Sequence, residues 1–547
     1  MVPHCGGLQE PPPTRRRTLS FQLQRGAVMK NRKRQNTALS GGPVSVKHGG
    51  KAQMKNRVME AGLVLTLAIG LNAQAALFYV DGNWTGAESG TSTQPYNTIG
   101  EAVTTANGAT GTHTIYIASG SYRDVANGGA EDYSAGGGSG GGYSLNQRIN
   151  IYGGYTGYTG SGFDWTTRTP RTTVVDLNAA SSRAFYQNNY TYAEVLDGLT
   201  FRNANTTGDG GAVYSNAGYG GGLTINNCLF TNNVTTGTGG ALYSHTSEAA
   251  GPITNSDFIG NSAASGGAAY YEPQYGQAKN IEKCTFTNNR ATTTVGGAVY
   301  FNNWATSNYT QVLGCMFSGN SAATDGGALF TNNKYIIIRQ SDLHGNSAPE
   351  GAAVGGADYW VGGYWLENSL IYGNTGGYAI QSQGNRTEGG YTIDMANCTV
   401  VGNTGGGVRA GYMEGTAAIP MRVRNSIIAD NGGYGIYVVD VTDGYIFGYN
   451  DLYNNTLGNY FGGVADANSL SANPLFMNPA LNNYRLLLGS PAIDSGMTIA
   501  GITTDLQGWW RPLGQGFEMG AYEAPEPAAL SLLLFAGCWL LRRRAGR

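Results

Sequence analysis

Charged side chains are scarce in this sequence. Only 12% of the 547 residues are Asp, Glu, Lys or Arg, and there are 17 prolines against 86 glycines. So few charges exclude a largely helical protein and an acidic disordered chain. High glycine together with many Tyr, Asn and Thr residues is typical of a repetitive β protein instead.

Motifs for catalysis and metal binding are also missing. The sequence contains no Asp-Asp pair and neither NTD nor GHG, whereas glycoside hydrolysis needs two carboxylates at a set distance. His113, His245 and His344 are scattered without ligand spacing, so we interpret them as surface residues. We therefore predict no metal site and no cofactor.

The net charge of −2 hides an uneven distribution. Sixteen of the 33 basic residues lie in 1–57 and 542–547, whereas 76–541 carries 17 basic and 33 acidic residues. A central chain this acidic excludes nucleic acid as a partner and is compatible with a cell envelope or a polysaccharide environment.

A repeat of 24 to 31 residues runs through the middle of the chain. Each copy except the weaker first one has an apolar residue three positions before an asparagine, and short alternating runs such as CTF have the period of a strand. The apolar positions are Phe201 (a weaker copy), Phe230, Phe258, Phe286, Phe317, Leu343, Ile371, Val400, Ile428 and Leu452. Short strands at a constant step predict an all-β fold, a solenoid in which each copy is one coil of a single-stranded parallel β-helix.

The asparagines are predicted to turn the corners. Asn233, Asn261, Asn289 and Asn320 would lie above one another in left-handed conformation, which asparagine tolerates. Cysteines at 228, 284, 315 and 398 each stand two residues before the apolar position, so we interpret them as buried small apolar residues. Parallel Cβ directions disfavour a disulfide between neighbouring coils.

A second motif, Gly-Gly-Ala-x-aromatic, occurs six times between Gly210 and Gly355. Alanine and the aromatic residue are two positions apart, so we expect both to face inward. The stretch between the asparagine and Gly-Gly is interpreted as an optional loop, because the later coils lack it.

The repeats at 197–360 resemble those of polymorphic outer-membrane proteins of the chlamydial type. More widely, the chain resembles the pectin-lyase-like superfamily, which implies a right-handed β-helix over 197–465. Residues 76–196 resemble the opening of such domains and imply an N-terminal helix cap, with Ile99, Ala102 and Val103 packing downward, followed by the first coils.

The C-terminal part resembles the choice-of-anchor Q module over 466–523, which implies a small β capping module. The matching pieces are SPAID at 490–494, Asp505, Gly508, Arg511 and GAYE at 520–523, while Glu518 stands where aspartate is expected. Trp509 and Trp510 are predicted to close the C-terminal end of the coil.

Two terminal segments are predicted to direct export. Residues 54–75 have a basic start, an apolar stretch and AQA, which is typical of a signal peptide cleaved between Ala75 and Ala76. Residues 1–53 are then an unstructured leader or follow from a start codon assigned too early. Residues 524–547, with Pro525, Glu526 and Pro527 before an apolar run and arginines, resemble a PEP-CTERM sorting tail. This implies an exosortase-type enzyme as partner, transient membrane association through the tail, and secretion to the surface or extracellular matrix of a Gram-negative bacterium.

Two groups of residues are candidates for function. A polysaccharide lyase uses an Arg or Lys base with clustered acids and Ca²⁺, and the nearest set is Arg422 and Arg424 with Asp394 and Asp430 one coil away. These residues also fit a solvated strand face. Exposed aromatic residues can stack on sugars, so Trp360, Tyr364 and Trp365 are candidate ligand-binding residues, although they would equally cover a seam between coils.

Two functions therefore remain open. The first and favoured one is a non-enzymatic surface or matrix protein, an adhesin or structural protein that binds extracellular polysaccharide or other cell-surface components. The alternative is a lyase or glycoside hydrolase acting on acidic polysaccharide, and Ca²⁺ would enter only with this alternative.

Overall fold

The computed structural model describes residues 75–524, apart from 126–127, 136–140, 179–180, 189–191, 219–220, 247–250, 274–279, 303–308, 333–335, 358–362, 384–392, 411–420 and 440–444. The predicted leader, signal peptide and sorting tail therefore lie outside the described residues, except for Ala75 and Ala524. The first strand begins at Ala76.

Four parallel sheets run along the coil, and each strand pairs with its counterpart in the next coil. Sheet 1 is formed by Ala76–Val80, Thr112–Ala118, Arg148–Tyr158, Glu194–Asp197, Leu223–Asn226, Ile253–Thr254, Asn280–Glu282, Thr310–Leu313, Ile336–Arg339, Tyr364–Glu367, Ile393–Ala396, Met421–Arg424 and Ile446–Gly448, with Phe163–Arg168 added antiparallel. Sheet 2 is formed by Gly120–Arg123, Thr173–Asp176, Leu199–Arg202, Leu229–Thr231, Asp257–Ile259, Thr285–Thr287, Met316–Ser318, Asp342–His344, Leu370–Tyr372, Thr399–Val401, Ile427–Ala429 and Asp451–Tyr453.

The other two sheets complete each coil. Sheet 3 is formed by Asn205–Thr206, Val234–Thr235, Ser262–Ala263, Arg290–Ala291, Ser321–Ala322, Ser347–Ala348 and Thr375–Gly376. Sheet 4 is formed by Tyr143–Ser144, Phe185–Gln187, Val213–Ala217, Leu242–Thr246, Ala269–Pro273, Val299–Asn302, Leu329–Asn332, Val354–Ala357, Ile380–Ser382, Val408–Ala410, Tyr434–Val438 and Gly458–Phe461. The predicted all-β parallel β-helix is confirmed.

The ten apolar repeat positions form one row inside sheet 2. Phe230 pairs with Phe258 and Phe258 with Phe286, and the stacked rings are 4.8 Å apart between centroids. All three phenylalanines are fully buried. The repeat step therefore sets the register of the coils, and the interior of the coil is one continuous apolar core.

A ladder of buried asparagines follows this row. Asn233, Asn261, Asn289 and Asn320 stack as predicted and have no exposed surface. The left-handed conformation belongs to the residue before each of them, for example Asn288 with φ 54°. The prediction of left-handed corner residues was wrong for the ladder itself, because its side chains must point inward to bond to the neighbouring coils.

The prediction for the Gly-Gly-Ala-x-aromatic motif was half wrong. Ala212 and Val213 are both buried, and the strand alternation begins only at Val213, so Tyr214 faces outward. The reason is that Gly-Gly-Ala forms the corner before the strand. Gly297 is needed there, since an added Cβ would lie 2.0 Å from the carbonyl oxygen of Gly327 in the next coil.

Two further expectations from this motif were wrong. The pairing of Leu329 with Val354 places Gly355 inside a strand, opposite Phe330, so it does not begin a sixth copy. The stretch between the asparagine and Gly-Gly is not a loop but contains a strand of sheet 3, for example Arg290–Ala291. Two-residue strands are too short for the alternation of side chains to be recognised in the sequence.

The N-terminal end is closed by the helix Ile99–Asn107, which buries Ile99, Ala102 and Val103 as predicted. Thr98 and Glu101 form a capping box. The carboxylate of Glu131 accepts hydrogen bonds from the backbone N–H of Ile99 (2.6 Å) and Gly100 (3.2 Å). The helix is the one α-helix of the described residues, and none of their helices is long and apolar enough to span a membrane.

We call residues 466–524 the C-terminal segment. It packs on the outer face of sheet 2. It contains the antiparallel strands Phe476–Asn478 and Asn483–Leu486 and the short 3-10 helix Pro479–Leu481. Another 3-10 helix spans Tyr133–Ala135 near the N-terminal end. Trp509 and Trp510 are 52% and 71% exposed, so they do not close the end of the coil as predicted. Tyr445 and Tyr460 pack against the end of the core instead.

The residues of the choice-of-anchor-like motif form a buried polar network within this segment. Arg511 Nη1 lies 2.6 Å from Glu523 Oε1, and both side chains are fully buried. The Glu523 backbone N–H donates to Asp505 Oδ2 at 3.0 Å. The motif therefore has a structural role here, which explains its polar residues without a ligand.

Glu518 gives this network a dependence on pH. Burial, followed by the neighbouring Glu523 carboxylate, raises its pKa from 4.5 to about 9. A raised carboxyl pKa contributes stability that is complete below about pH 4.5 and is lost as the pH rises toward 9. We expect Glu518→Gln to show a shallower loss of unfolding free energy than wild type between pH 5 and 9 in urea unfolding followed by circular dichroism. Parallel curves for the two proteins would contradict this.

Candidate functional site

The outer face of sheet 1 joins the two groups of candidate residues. We call the outward side chains of its strands Ile336–Arg339, Tyr364–Glu367, Ile393–Ala396 and Met421–Arg424 the Arg–Trp face. They are Ile337, Arg339, Trp365, Glu367, Asp394, Ala396, Arg422 and Arg424. The alternation in MRVR explains their direction, since Met421 and Val423 are fully buried and the arginines that alternate with them point outward.

Trp365, Asp394 and Arg422 lie in register in three successive coils. Asp394 Oδ1 accepts a hydrogen bond from Arg422 Nε at 2.9 Å, and Asp394 Oδ2 accepts a second one from Arg422 Nη2. Arg424 Nη2 lies 3.4 Å from Asp394 Oδ1. The expected proximity of Asp394 to both arginines is therefore present, as a two-point ion pair with Arg422.

A second ion pair completes the face. Arg339 Nε lies 2.5 Å from Glu367 Oε2, and the Arg339 guanidinium lies 5.3 Å from the centre of the Trp365 ring. Sequence reasoning missed Arg339 and Glu367. Alignment of IIIR and YWLE with MRVR by the repeat would have placed them in the row of Arg424.

Other candidate residues lie elsewhere. Asp430 is exposed in a left-handed corner after Ile427–Ala429 of sheet 2, and it accepts a hydrogen bond from Asn454 at 2.7 Å. Tyr364 is 1% exposed and belongs to the core, because it faces inward in the strand in which Trp365 faces outward. Both were therefore wrong as site residues, and Trp360 lies outside the described residues.

The arginines of the Arg–Trp face are more exposed than its carboxylates. The side chains of Asp394 and Glu367 are 10% and 11% exposed, whereas those of Arg422 and Arg339 are 27% and 34% exposed. The acids thus lie beneath the guanidinium groups and hold them. Among the described residues, the face carries three arginines and two carboxylates.

The C-terminal segment borders the face on one side. Ala396 packs against Ile499, Ile502 and Phe517 of that segment. Asp466 accepts a hydrogen bond from the backbone N–H of Tyr449 at 3.4 Å, next to the strand that follows Arg424. The exposed part of the face therefore centres on Trp365 and Arg422.

Cysteine and histidine side chains do not contribute to this face. Cys228, Cys284, Cys315 and Cys398, the cysteines of the described residues, are buried free thiols, as interpreted from the sequence. Burial raises the pKa of Cys228 and Cys398 to about 12, which leaves them unreactive at neutral pH.

The histidines divide between interior and surface. The interpretation of His113 as a surface residue was wrong, since it is fully buried beside Phe78. His245 and His344 are partly exposed. Within the described part of the chain, no group of three or more His, Cys, Asp or Glu side chains has the arrangement of a metal site.

Comparison with known proteins gives a partial match to one family. Residues 227–245, 283–302 and 314–332 match the Chlamydia polymorphic membrane protein repeat. No curated protein matches the chain.

Several solved structures follow a similar backbone course. Pectate lyase Pel9A is 16% identical with a TM-score of 0.45, over 83% of this chain and 97% of that chain. A rhamnogalacturonan lyase is 15% identical with a TM-score of 0.38, over 74% and 91%. The mannuronan C-5 epimerase AlgE6 A-module of Azotobacter vinelandii is 14% identical with a TM-score of 0.31, over 68% and 93%. At these identities the likeness concerns the fold alone.

Proposed function

We propose that this protein is an exported surface or matrix protein whose Arg–Trp face binds acidic polysaccharide without cleaving it. The observation that carries the proposal is the row of Trp365, Asp394 and Arg422 on the outer face of sheet 1, with the Arg422 guanidinium partly exposed above the buried Asp394 carboxylate. The repeat match to membrane proteins of Chlamydia supports a place at the cell surface.

The chemistry of the face fits a sugar that carries a carboxylate. A guanidinium presents several N–H donors in a plane and suits carboxylate groups. An indole ring offers an apolar surface for the C–H face of a sugar ring, with large contact area and little loss of conformational freedom. Because Asp394 and Glu367 already hold the arginines in place, binding requires little ordering of side chains.

Binding without cleavage is favoured over a lyase by the hydrogen bonds of Arg422. A lyase needs a group that is free to remove a proton, but the Arg422 guanidinium is engaged by Asp394 through two hydrogen bonds. The arrangement therefore suits recognition of an anion. A lyase or glycoside hydrolase with bound Ca²⁺ is the alternative that the experiment below separates.

Export and attachment are part of the proposal. The signal peptide ending at Ala75, the sorting tail over 524–547 and an exosortase-type partner would carry the chain to the surface or the extracellular matrix. Measurement of the N-terminus and C-terminus of the protein secreted by its native host, by mass spectrometry, tests both cleavages.

The binding proposal is tested with Arg422→Ala in the full chain. We expect binding to acidic polysaccharides on a glycan array to weaken about tenfold or more, since a charge-assisted hydrogen bond contributes about 1.5–3 kcal/mol. Arg290→Ala is the matched control, because Arg290 is an exposed arginine of sheet 3.

Depolymerisation is measured on the same polysaccharides with and without Ca²⁺. Binding with no new unsaturated or reducing ends supports the proposal. New ends that disappear in Arg422→Ala would establish the lyase alternative, and equal binding by Arg422→Ala and wild type would place the ligand elsewhere.

A further inference from the structure

A second aromatic surface lies at the other end of sheet 1. We call it the N-terminal aromatic patch, and its residues are Tyr79, Trp84, Tyr116, Tyr158, Phe163 and Trp165. Tyr158 is 40% exposed and the other five are partly exposed. The antiparallel strand Phe163–Arg168 brings Phe163 and Trp165 onto the outer face of the first strands.

The rings of the patch are in mutual contact. Ring centroids are 5.2 Å apart for Trp84 and Phe163, 5.3 Å for Trp84 and Tyr158, and 5.2 Å for Tyr158 and Phe163. The Trp165 ring contacts Tyr79, with a distance of 4.9 Å between the ring centroids. The result is one contiguous aromatic surface with phenol hydroxyls among the rings.

Both indoles are fixed in place. Trp84 Nε1 donates to the carbonyl oxygen of Ala87 at 3.0 Å, and Trp165 Nε1 donates to that of Ser92 at 2.9 Å. Trp84 also lies over Gly86, where an added Cβ would come within 2.2 Å of the ring. Rings held in this way lose little freedom when a ligand binds.

The charged groups at the edge of the patch are engaged with protein partners. Arg168 Nη2 lies 2.5 Å from Asp197 Oδ1. Asp164 accepts hydrogen bonds from the backbone N–H groups of Thr166 and Thr167 at 2.9 and 3.0 Å. Asp81 is buried and accepts one from the backbone N–H of Tyr158 at 2.6 Å. The patch therefore offers rings and hydroxyls without the row of arginines of the Arg–Trp face.

The patch also shares a face of the sheet with the Arg–Trp face. Tyr79, Tyr116 and Tyr152 are in register, and the same row continues through Asp197 toward Arg339 and Arg424. One continuous sheet face thus carries aromatic side chains at its N-terminal end and guanidinium groups at its C-terminal end.

We propose that the N-terminal aromatic patch binds an uncharged glycan chain, by stacking sugar rings on Trp84 and Trp165 with hydrogen bonds to the tyrosine hydroxyls. Fixed aromatic rings with polar edges match the two characters of a sugar, an apolar C–H face and a rim of hydroxyls. The N-terminal aromatic patch does not depend on binding at the Arg–Trp face. The two sites have no residue in common, and their proposed ligands differ in charge.

The test uses the full chain with cellohexaose and laminarihexaose as uncharged probes, followed by tryptophan fluorescence and calorimetry. We expect saturable binding by wild type with a change in indole emission. The double variant Trp84→Ala/Trp165→Ala is expected to lose at least tenfold in affinity. Phe461→Ala, which removes a 41% exposed ring at the opposite end of the coil, is the matched control and is expected to bind as wild type.

Gly86→Ala separates binding from folding. It leaves both indoles in the chain but displaces the Trp84 ring, so we expect weaker binding with an unchanged melting temperature.

Absence of binding of either probe to wild type would overturn the proposal, as would unchanged affinity in both patch variants. Tryptophan-dependent binding to phosphatidylcholine vesicles in place of the glycans would overturn it in favour of a membrane contact. Loss of acidic polysaccharide binding in Arg422→Ala alone would concern the Arg–Trp face and leave this proposal standing.

Discussion

Replacement of Asn289 by alanine is expected to lower the free energy of unfolding by about 3–5 kcal/mol. The Asn289 side chain donates to the carbonyl oxygen of Phe258 and to Oδ1 of Asn320, both at 2.9 Å. Its Oδ1 accepts from the backbone N–H and from Nδ2 of Asn261 at 3.0 and 2.9 Å. Alanine leaves these buried groups without their partners, and each such group costs about 1–3 kcal/mol.

The neighbouring residue offers a close control. Asn288 is exposed and left-handed, and glycine adopts that conformation without strain. We therefore expect Asn288→Gly to change the unfolding free energy by less than about 1 kcal/mol. Urea unfolding followed by circular dichroism measures both variants. Equal changes in the unfolding free energy of the two variants would show that the ladder asparagine contributes no more to stability than the exposed residue before it.

Replacement of Arg511 by alanine is expected to cost a similar amount, about 3–5 kcal/mol, because it leaves the buried carboxylate of Glu523 unpaired. Arg511 Nη2 also donates to the carbonyl oxygen of Gly520 at 2.7 Å. The loss is expected in the C-terminal segment, and limited proteolysis with mass spectrometry localises it there.

Two comparisons make this prediction specific. Arg485→Ala removes an exposed arginine of the same segment and is expected to change stability by less than about 1 kcal/mol. The double variant Arg511→Met/Glu523→Leu removes both charges and is expected to be more stable than Arg511→Ala alone. If the single and double variants were equally unstable, the loss would come from packing and not from an unpaired charge.

The coil itself could be predicted because its repeat is local. Each copy places Phe258 or its equivalent three residues before the ladder asparagine, and strand pairing at a fixed step leaves one register for all coils. The burial of Cys284 two residues before Phe286 follows from the same register. These features needed no knowledge of how distant segments pack.

Predictions that depended on a corner were less reliable. Tyr214 faces outward because Gly-Gly-Ala turns the chain before the strand alternation starts at Val213. If the start of a strand is misplaced by one residue, the predicted inward and outward directions of all its side chains are exchanged. In the strand Tyr364–Glu367 the alternation likewise decides the directions, so Tyr364 is a core residue and Trp365 is the partly exposed ring.

The candidate site was predicted in part. The proximity of Asp394, Arg422 and Arg424 followed from the repeat, since the residues stand at equivalent positions of successive coils. Asp430 was wrongly included because distance along the chain does not tell which sheet a residue joins. The N-terminal aromatic patch had no repeat to indicate it, as Trp84 contacts Phe163 only after the strand Phe163–Arg168 folds back.

The sequence by itself determined the coil, its inner rows of phenylalanine and asparagine, and the acidic character of the central chain, because these depend on a period and on composition. Only the tertiary structure decided which outward side chains meet. It placed Trp365 beside Arg339 and brought Trp84 against Phe163. It also laid the segment around Arg511 along sheet 2, whereas the sequence had predicted a cap at the end of the coil. Contacts of this kind join residues of different elements that are far apart in the sequence. They are therefore determined by how the elements pack and not by the residue pattern within one element.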